Sequence, residues 1–270
     1  MKKIFLVFIF SISFSKDLFN FNDLKNNSKD GRLILHVGEE LIYDVSYGFI
    51  KIGEIKLVVL SEFEKNGILL YKTKAFINSN EALPFVNVHY VFYSEIDPEG
   101  YAHYFSGTDT KNPKEHHYQD YAFNYTDKNI IIEKGNRTKN HAYFKAKDYT
   151  NVKQQDGLSL FYYSRINLFS KKNINLPTYI NEKKGSVFIN FVGKQKSIEL
   201  KAISSPVDAV ELNGSINIKG IFGLSGPFVG WFSNDSFGIP LKAKLEVIIG
   251  SVNVELKSWK RIDWSPPKIK

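Results

Sequence analysis

A chain of 270 residues with 43% hydrophobic and 15% aromatic content can build a packed core, which excludes disorder over most of its length. The absence of cysteine excludes disulfides, thiol catalysis, Cys-ligated metals and a lipid-anchored N-terminal Cys. A formal net charge of +8 suits an acidic partner such as anionic lipid, polysaccharide or nucleic acid, but the lysines are scattered along strand faces, as on an ordinary solvated surface.

Lys2 and Lys3 precede an apolar run, Ile4 to Phe14, that is shorter than the ~20 residues needed to cross a bilayer. Ser13-Phe14-Ser15 offers a small-x-small cleavage site, so residues 1–15 read as a secretory signal peptide, with an uncleaved anchor as the alternative. Export without disulfides points to the periplasm of a bacterial-type envelope. Residues 16–31 are polar and Asn-rich, so 16–37 are expected to form a flexible lead-in, with a short helical turn around Phe19 to Leu24.

From Gly38 the period becomes two. Leu41, Tyr43, Val45, Tyr47 and Phe49 alternate with Ile42, Asp44, Ser46 and Gly48, and Ile55, Leu57 and Val59 resume that parity after Lys51-Ile52-Gly53. This predicts a hairpin or a bulged, bent strand. Asn66-Gly67 is a turn signal before a strand from Leu69 to Phe76. Phe85 to Ile96 is apolar on both faces and predicts a buried central strand. Asp97-Pro98-Glu99-Gly100 is a turn, and strands follow at Tyr101 to Phe105, His117 to Tyr125 and Asn129 to Glu133. Gly135 to Lys153 reads as a polar loop.

Gln155 to Lys171 is the best helix candidate in the chain. Asp156 is a good N-cap; Leu158, Phe161, Tyr162, Arg165, Ile166 and Phe169 recur at helical spacing; Leu160 and Tyr163 make the other side apolar. A linker with Pro177 spans Lys171 to Lys184. Strands are then predicted at 186–192, 197–203, 207–212, 215–221 and 228–233, followed by a hairpin through Gly250-Ser251 with one wet and one dry face. The expected fold is mainly β: an antiparallel curled sheet or open barrel, or half-barrel, around one buried helix at about 156–170. It divides into the signal segment, the lead-in, a single domain over 38–260 and a basic tail at 261–270.

Three stretches carry a family resemblance: G-E-E-L-I-Y-D-V-S-Y-G-F-I-K-I-G-E from Gly38, Q-D-G-L-S-L-F-Y-Y-S-R from Gln155, and W-F-S-N-D-S-F-G-I-P-L-K from Trp231 followed by Ile249-Gly250-Ser251. In order and spacing they resemble the bacterial envelope family known as domain of unknown function 3108, over about residues 38–258. Gly157 directly after the Asp and Phe161 before Tyr162 depart from that family's pattern. The resemblance implies a secreted β-rich protein with no assigned activity. It also implies a fold similar to the curled sheet and helix of bacterial lipoprotein carriers, hence an apolar cavity for acyl chains, an analogy at the level of fold alone.

Candidate ligand-binding residues are Tyr47, Tyr162, Arg165, Trp231 and Asp235. A buried Arg165 needs a partner, for which Glu54, Asp235 and Asp44 are available; it would contact an anion or headgroup, or form an ion pair that orients the helix, the second being the stronger reading. Trp231 and Asp235 suit a sugar-binding loop, but a strand end followed by an Asx-type turn is commoner. Of the histidines, His116-His117 would point to opposite faces of a strand, and His89 and His103 lack further ligands, so no metal or other cofactor is expected. No nucleophile elbow, phosphate loop or ordered catalytic triad appears, so no catalytic residue is assigned. The expectation is a non-enzymatic protein that binds or shelters an apolar or amphiphilic envelope component such as lipid, with no nucleic-acid partner and no membrane span after processing. The alternative is a structural or interaction protein contacting envelope proteins or glycans.

Overall fold

The computed structural model describes residues 31–83, 87–218, 225–246 and 250–269. The signal segment at 1–15, most of the lead-in, the start of the strand expected from Phe85 and part of the Ile249-Gly250-Ser251 turn lie outside these residues.

Fourteen strands and two short helices follow the first described residue. A single helical turn, α1 (Gly31–Ile34), precedes β1 (Glu40–Tyr47), β2 (Ile50–Lys65), β3 (Ile68–Ser79), β4 (His89–Ile96), β5 (Ala102–Asp109), β6 (His117–Asn124), β7 (Asn129–Asn136) and β8 (His141–Tyr149). The second helix, α2 (Ser159–Ile166), leads to β9 (Asn173–Ile180), β10 (Lys183–Leu200), β11 (Ile203–Ile216), β12 (Gly226–Ser233), β13 (Pro240–Glu246) and β14 (Ser251–Lys260). All fourteen form one sheet in the order β8-β7-β6-β5-β4-β3-β2-β1-β14-β13-β12-β11-β10-β9. Each half of the chain is therefore an antiparallel meander, and the two are joined where β1 pairs β14.

Turn chemistry explains much of this layout. Asn66 and Gly67 both take positive φ, 54° and 76°, and close the two-residue hairpin between β2 and β3. Asn181 and Glu182 do the same between β9 and β10 without a glycine to announce it. The first hairpin turns at Gly48-Phe49, earlier than Lys51-Ile52-Gly53, and a register shift between Val45 and Ser46 sits near Gly53. Expected hairpin and expected bulge are both present, side by side.

Several expectations are corrected. Helix α2 is half the length its periodicity suggests. Residues 141–149 form strand β8, not loop, and residues 173–180 form edge strand β9, not linker, with Pro177 on a strand that pairs β10 along one side and meets Gln155 on the other in an isolated bridge at Thr178. The four short strands expected between 186 and 221 are two long ones, β10 and β11, with register shifts between Asn190 and Lys194 and between Ile198 and Leu200. Ile34 and Leu35, expected within the lead-in, are fully buried. The tail is not loose: Arg261 and Trp264 are buried, and Lys268 bridges to Val207.

The sheet curls without closing. Its edge strands β8 and β9 are not hydrogen-bonded to each other, yet side chains cross the gap. Lys184 Nζ lies 2.7 Å from Asp148, while Lys134 Nζ and Tyr121 Oη reach the Glu182 carboxylate at 2.5 Å each. Tyr179 on β9 meets the rings of Tyr121 and Phe123 edge-on. The concave face and α2 share one large apolar core, and a second cluster gathers Leu168, Leu176, Val187, Ile189, Phe191 and Leu212.

Candidate functional site

The site is built on α2 and the turn before it. Asp156 Oδ1 accepts hydrogen bonds from the backbone N–H groups of Leu158 (2.6 Å) and Ser159 (2.7 Å), and Ser159 Oγ accepts from the Asp156 N–H at 2.9 Å. This reciprocal arrangement caps the chain's entry into the helix. Ser94 on β4 donates to Asp156 Oδ2 at 2.6 Å, tying the cap to the sheet. Burial pushes the Asp156 carboxyl up to about 6, despite the hydrogen bonds from Ser94, Ser159 and Leu158 that favour its charged form. At the far end of the helix, Gly100 (φ +89°) lets the β4–β5 turn approach: a Cβ there would stand 3.0 Å from Tyr163 Cα.

The helix has two working faces. One packs into the closed end of the curl. There Arg165, wholly buried, donates from both terminal nitrogens to Glu39, at 2.6 and 2.9 Å, and from Nη2 to the Phe237 carbonyl at 3.3 Å. Arg261 donates to the same carboxylate at 2.8 Å and to the Leu33 carbonyl at 2.8 Å. The partner of Arg165 is therefore Glu39, not Glu54, Asp235 or Asp44. Glu54 and Asp44 form exposed pairs with lysines. Burial alone would raise the Glu39 carboxyl, but the two guanidiniums hold it below the usual carboxylate range. Tyr162 lies beside Arg165, its ring centroid 5.8 Å from the guanidinium carbon. This cluster pins the entry to β1, the helix and the segment after β14 together.

The other face, carrying Leu158, Leu160, Phe161 and Ser164, looks into a cavity of about 380 Å³. The opposite wall comes from the concave side of the sheet: Tyr43, Ile55, Leu57, Ala75, Ile77 and Phe92 from β1–β4, and residues such as Leu212, Phe228, Phe232, Ala243, Leu245 and Val254 from β11–β14. Lining residues against the helix, such as Tyr43, Leu212 and Phe232, are buried, whereas Ile55, Ile77, Ile216, Phe228 and Leu245 are half-exposed. The cavity thus opens toward the strand ends at Tyr47, Ile50, Ser79, Ile216 and Glu246, away from the ion cluster. Among the described residues, the polar side chains in its wall are Ser164, whose hydroxyl bonds back to the Leu160 carbonyl at 2.8 Å, Tyr43, whose hydroxyl donates to the Pro240 carbonyl at 3.1 Å, and Lys242, which pairs with Glu255 at 3.0 Å. Such a lining can hold hydrocarbon.

The five candidate residues fall in four places, none of them in the cavity wall. Tyr162 and Arg165 belong to the buried base. Asp235 is an Asx-turn residue: its Oδ1 accepts from Ser233 Oγ and from the backbone N–H groups of Phe237 and Gly238, and its Oδ2 accepts from the Trp264 indole at 2.8 Å. Trp231 alternates with the lining residues Gly230 and Phe232 and donates its indole N–H to Glu211 at 3.0 Å. Tyr47 stands at the end of β1 beside the mouth. His89 and His103 lie at opposite ends of a hairpin, bonded to Asn78 and Asp97 respectively. Among the described residues no group of three His, Asp or Glu side chains is placed to hold a metal ion, and no helix is long and apolar enough to cross a membrane.

An apolar cavity is expected from the sequence, but none of its wall residues is named there as part of a site, although their signal is present in the dry parity of Leu41-Tyr43 and of Leu241-Ala243-Leu245. Nothing announced Glu39, because an acidic residue just before a strand reads as solvated.

Comparison with solved structures returns distant likenesses that cover most of the chain. A β-barrel-like protein of domain of unknown function DUF1849 from Brucella abortus is 13% identical, with a TM-score of 0.49, over 84% of this chain and 98% of its own. A putative exported protein with a YmcC-like fold from Bacteroides fragilis is 7% identical, with a TM-score of 0.37, over 84% and 97%. A hypothetical protein from Chlamydia trachomatis is 12% identical, with a TM-score of 0.30, over 90% and 98%. No curated protein matches the sequence. The family model described as protein of unknown function (DUF3108) matches residues 42–257, from the first strand to the last, and the chain belongs to that family.

Proposed function

We propose that this DUF3108 protein is an exported, non-enzymatic binding protein of the bacterial envelope whose cavity shelters the apolar part of a lipid-like component. The observation that carries the reading is the cavity itself: about 380 Å³ between sheet and helix, walled by aliphatic and aromatic side chains and open at one end. Ligand pockets span roughly 300–1,000 Å³ and are mostly apolar with a few polar groups. Among the described residues the lining has no carboxylate or histidine, which supports binding over hydrolysis. Export rests on the signal-like residues 1–15.

The test is native mass spectrometry of protein taken from its own envelope, with lipid extraction, together with titration of an apolar fluorescent dye. Co-purifying lipid and saturable dye binding displaced by a fatty acid are expected; absence of both refutes the reading. A second reading, an interaction protein, is favoured by β8, an edge strand that exposes Tyr143, Phe144 and Tyr149 and leaves one row of backbone groups free to pair.

A further inference from the structure

At the mouth of the cavity the β1–β2 turn projects an apolar tip. Phe49 is 98% exposed, and its neighbours Tyr47 and Ile50 are 39% and 44% exposed. Tyr47 stands beside Gly250, where a Cβ would come 3.2 Å from its hydroxyl oxygen. A hairpin tip has no folding reason to hold a fully exposed Phe, since solvent there favours polar turn residues.

We propose that residues 47–50 are a lipid-surface contact that dips into the headgroup–acyl boundary and sets the cavity mouth against the bilayer. Three observations select lipid over a protein partner. The exposed apolar surface is on the order of 400 Å², given the ~150–250 Å² that one aromatic side chain can bury, which is about half of the ~800 Å² per side of a standard protein interface. The tip is continuous with the open end of an apolar cavity, so a hydrocarbon chain passing between bilayer and cavity would stay out of water. The formal net charge of +8, of which Lys2 and Lys3 in the signal-like segment supply two, leaves a positive chain that complements an anionic membrane surface. Ile262 is as exposed as Phe49 but stands at the closed end of the curl, beyond β14, and serves as the natural control. This inference rests on the cavity reading for its purpose, whereas membrane contact itself can be measured independently.

The chain has no cysteine, so Phe49→Cys and Ile262→Cys each give a single labelling site for an environment-sensitive fluorophore. With vesicles of phosphatidylglycerol and phosphatidylethanolamine, the probe at position 49 is expected to shift to the blue and brighten several-fold, and the probe at 262 to stay unchanged. Phe49→Asp is expected to weaken vesicle co-sedimentation at least tenfold while apolar dye binding in solution is kept. No response at 49, or an equal response at both positions, overturns the membrane contact even where dye binds. A response at 49 alone without any dye binding keeps the contact and removes the cavity reading.

Discussion

Glu39 is the hub of the buried ion cluster, and its arithmetic can be tested. It is only 2% exposed and accepts three hydrogen bonds from two fully buried guanidiniums. Glu39→Met leaves Arg165 and Arg261 buried beside each other with their shared counter-charge gone, and an uncompensated buried charge costs about 3–5 kcal/mol. Arg165→Met removes one positive charge and leaves a neutral Glu39–Arg261 pair, so the expected loss is only about 1–2 kcal/mol, mostly hydrogen bonds including the one to the Phe237 carbonyl. The triple variant Glu39→Met, Arg165→Met, Arg261→Met removes every ion and is expected to be more stable than Glu39→Met alone, a strongly non-additive result. The assay is urea unfolding at pH 7 followed by circular dichroism and tryptophan emission. In thermal melts the Glu39→Met loss corresponds to roughly 6–20 °C, at about 2–4 °C per kcal/mol for a domain near this size. Because the Glu39 carboxyl is held below its ordinary value of 4.5, the stability it contributes is present above that value and disappears as pH falls through the folded one. Glu39→Gln should therefore flatten part of the acid limb. If Arg165→Met proves as damaging as Glu39→Met, or if the triple variant is the worst of the three, the hub account is wrong.

Asp156 gives the opposite pH sign. Its carboxyl is pushed up to about 6 from 3.8, so the native state holds the proton more tightly and stability declines from pH 4 toward 6 before levelling off. Asp156→Asn keeps a capping side chain and removes the titration. Denaturant melts at pH 4 and pH 7 should show the variant gaining about 2 kcal/mol relative to the parent across that interval, and no change in the difference would refute it. Gly100→Ala places a methyl at positive φ against Tyr163 Cα and should lower stability by about 1–3 kcal/mol, read as a lower unfolding midpoint with the slope unchanged. Ala243→Phe, in the cavity wall near its open half, should abolish dye binding with less than about 2 kcal/mol of lost stability, because the new ring enters empty space instead of a packed core; dye binding that survives would place the ligand elsewhere.

Local chemistry decided a good part of this molecule. Period-two parity marks β1, β13 and β14, Asn66-Gly67 forces one hairpin, and Asp156 with Ser159 writes the entry to the helix, because each depends on residues within a few positions of one another. The helix itself came out at eight residues, since apolar spacing continues into Leu168 and Phe169 after the backbone has left the helix. Strands β8 and β9 were illegible because both are edges: polar or exposed on at least one face, with most of His141 to Tyr149 exposed and Pro177 tolerated on a strand whose ladder, to β10, runs along one side. The pairing of β1 with β14, the junction of Glu39 with Arg165 and Arg261 across 126 and 222 positions, and the cavity between helix and sheet are long-range outcomes. They depend on how far the sheet curls and on which faces meet, and those are set by packing over the whole chain, which no short window of sequence contains.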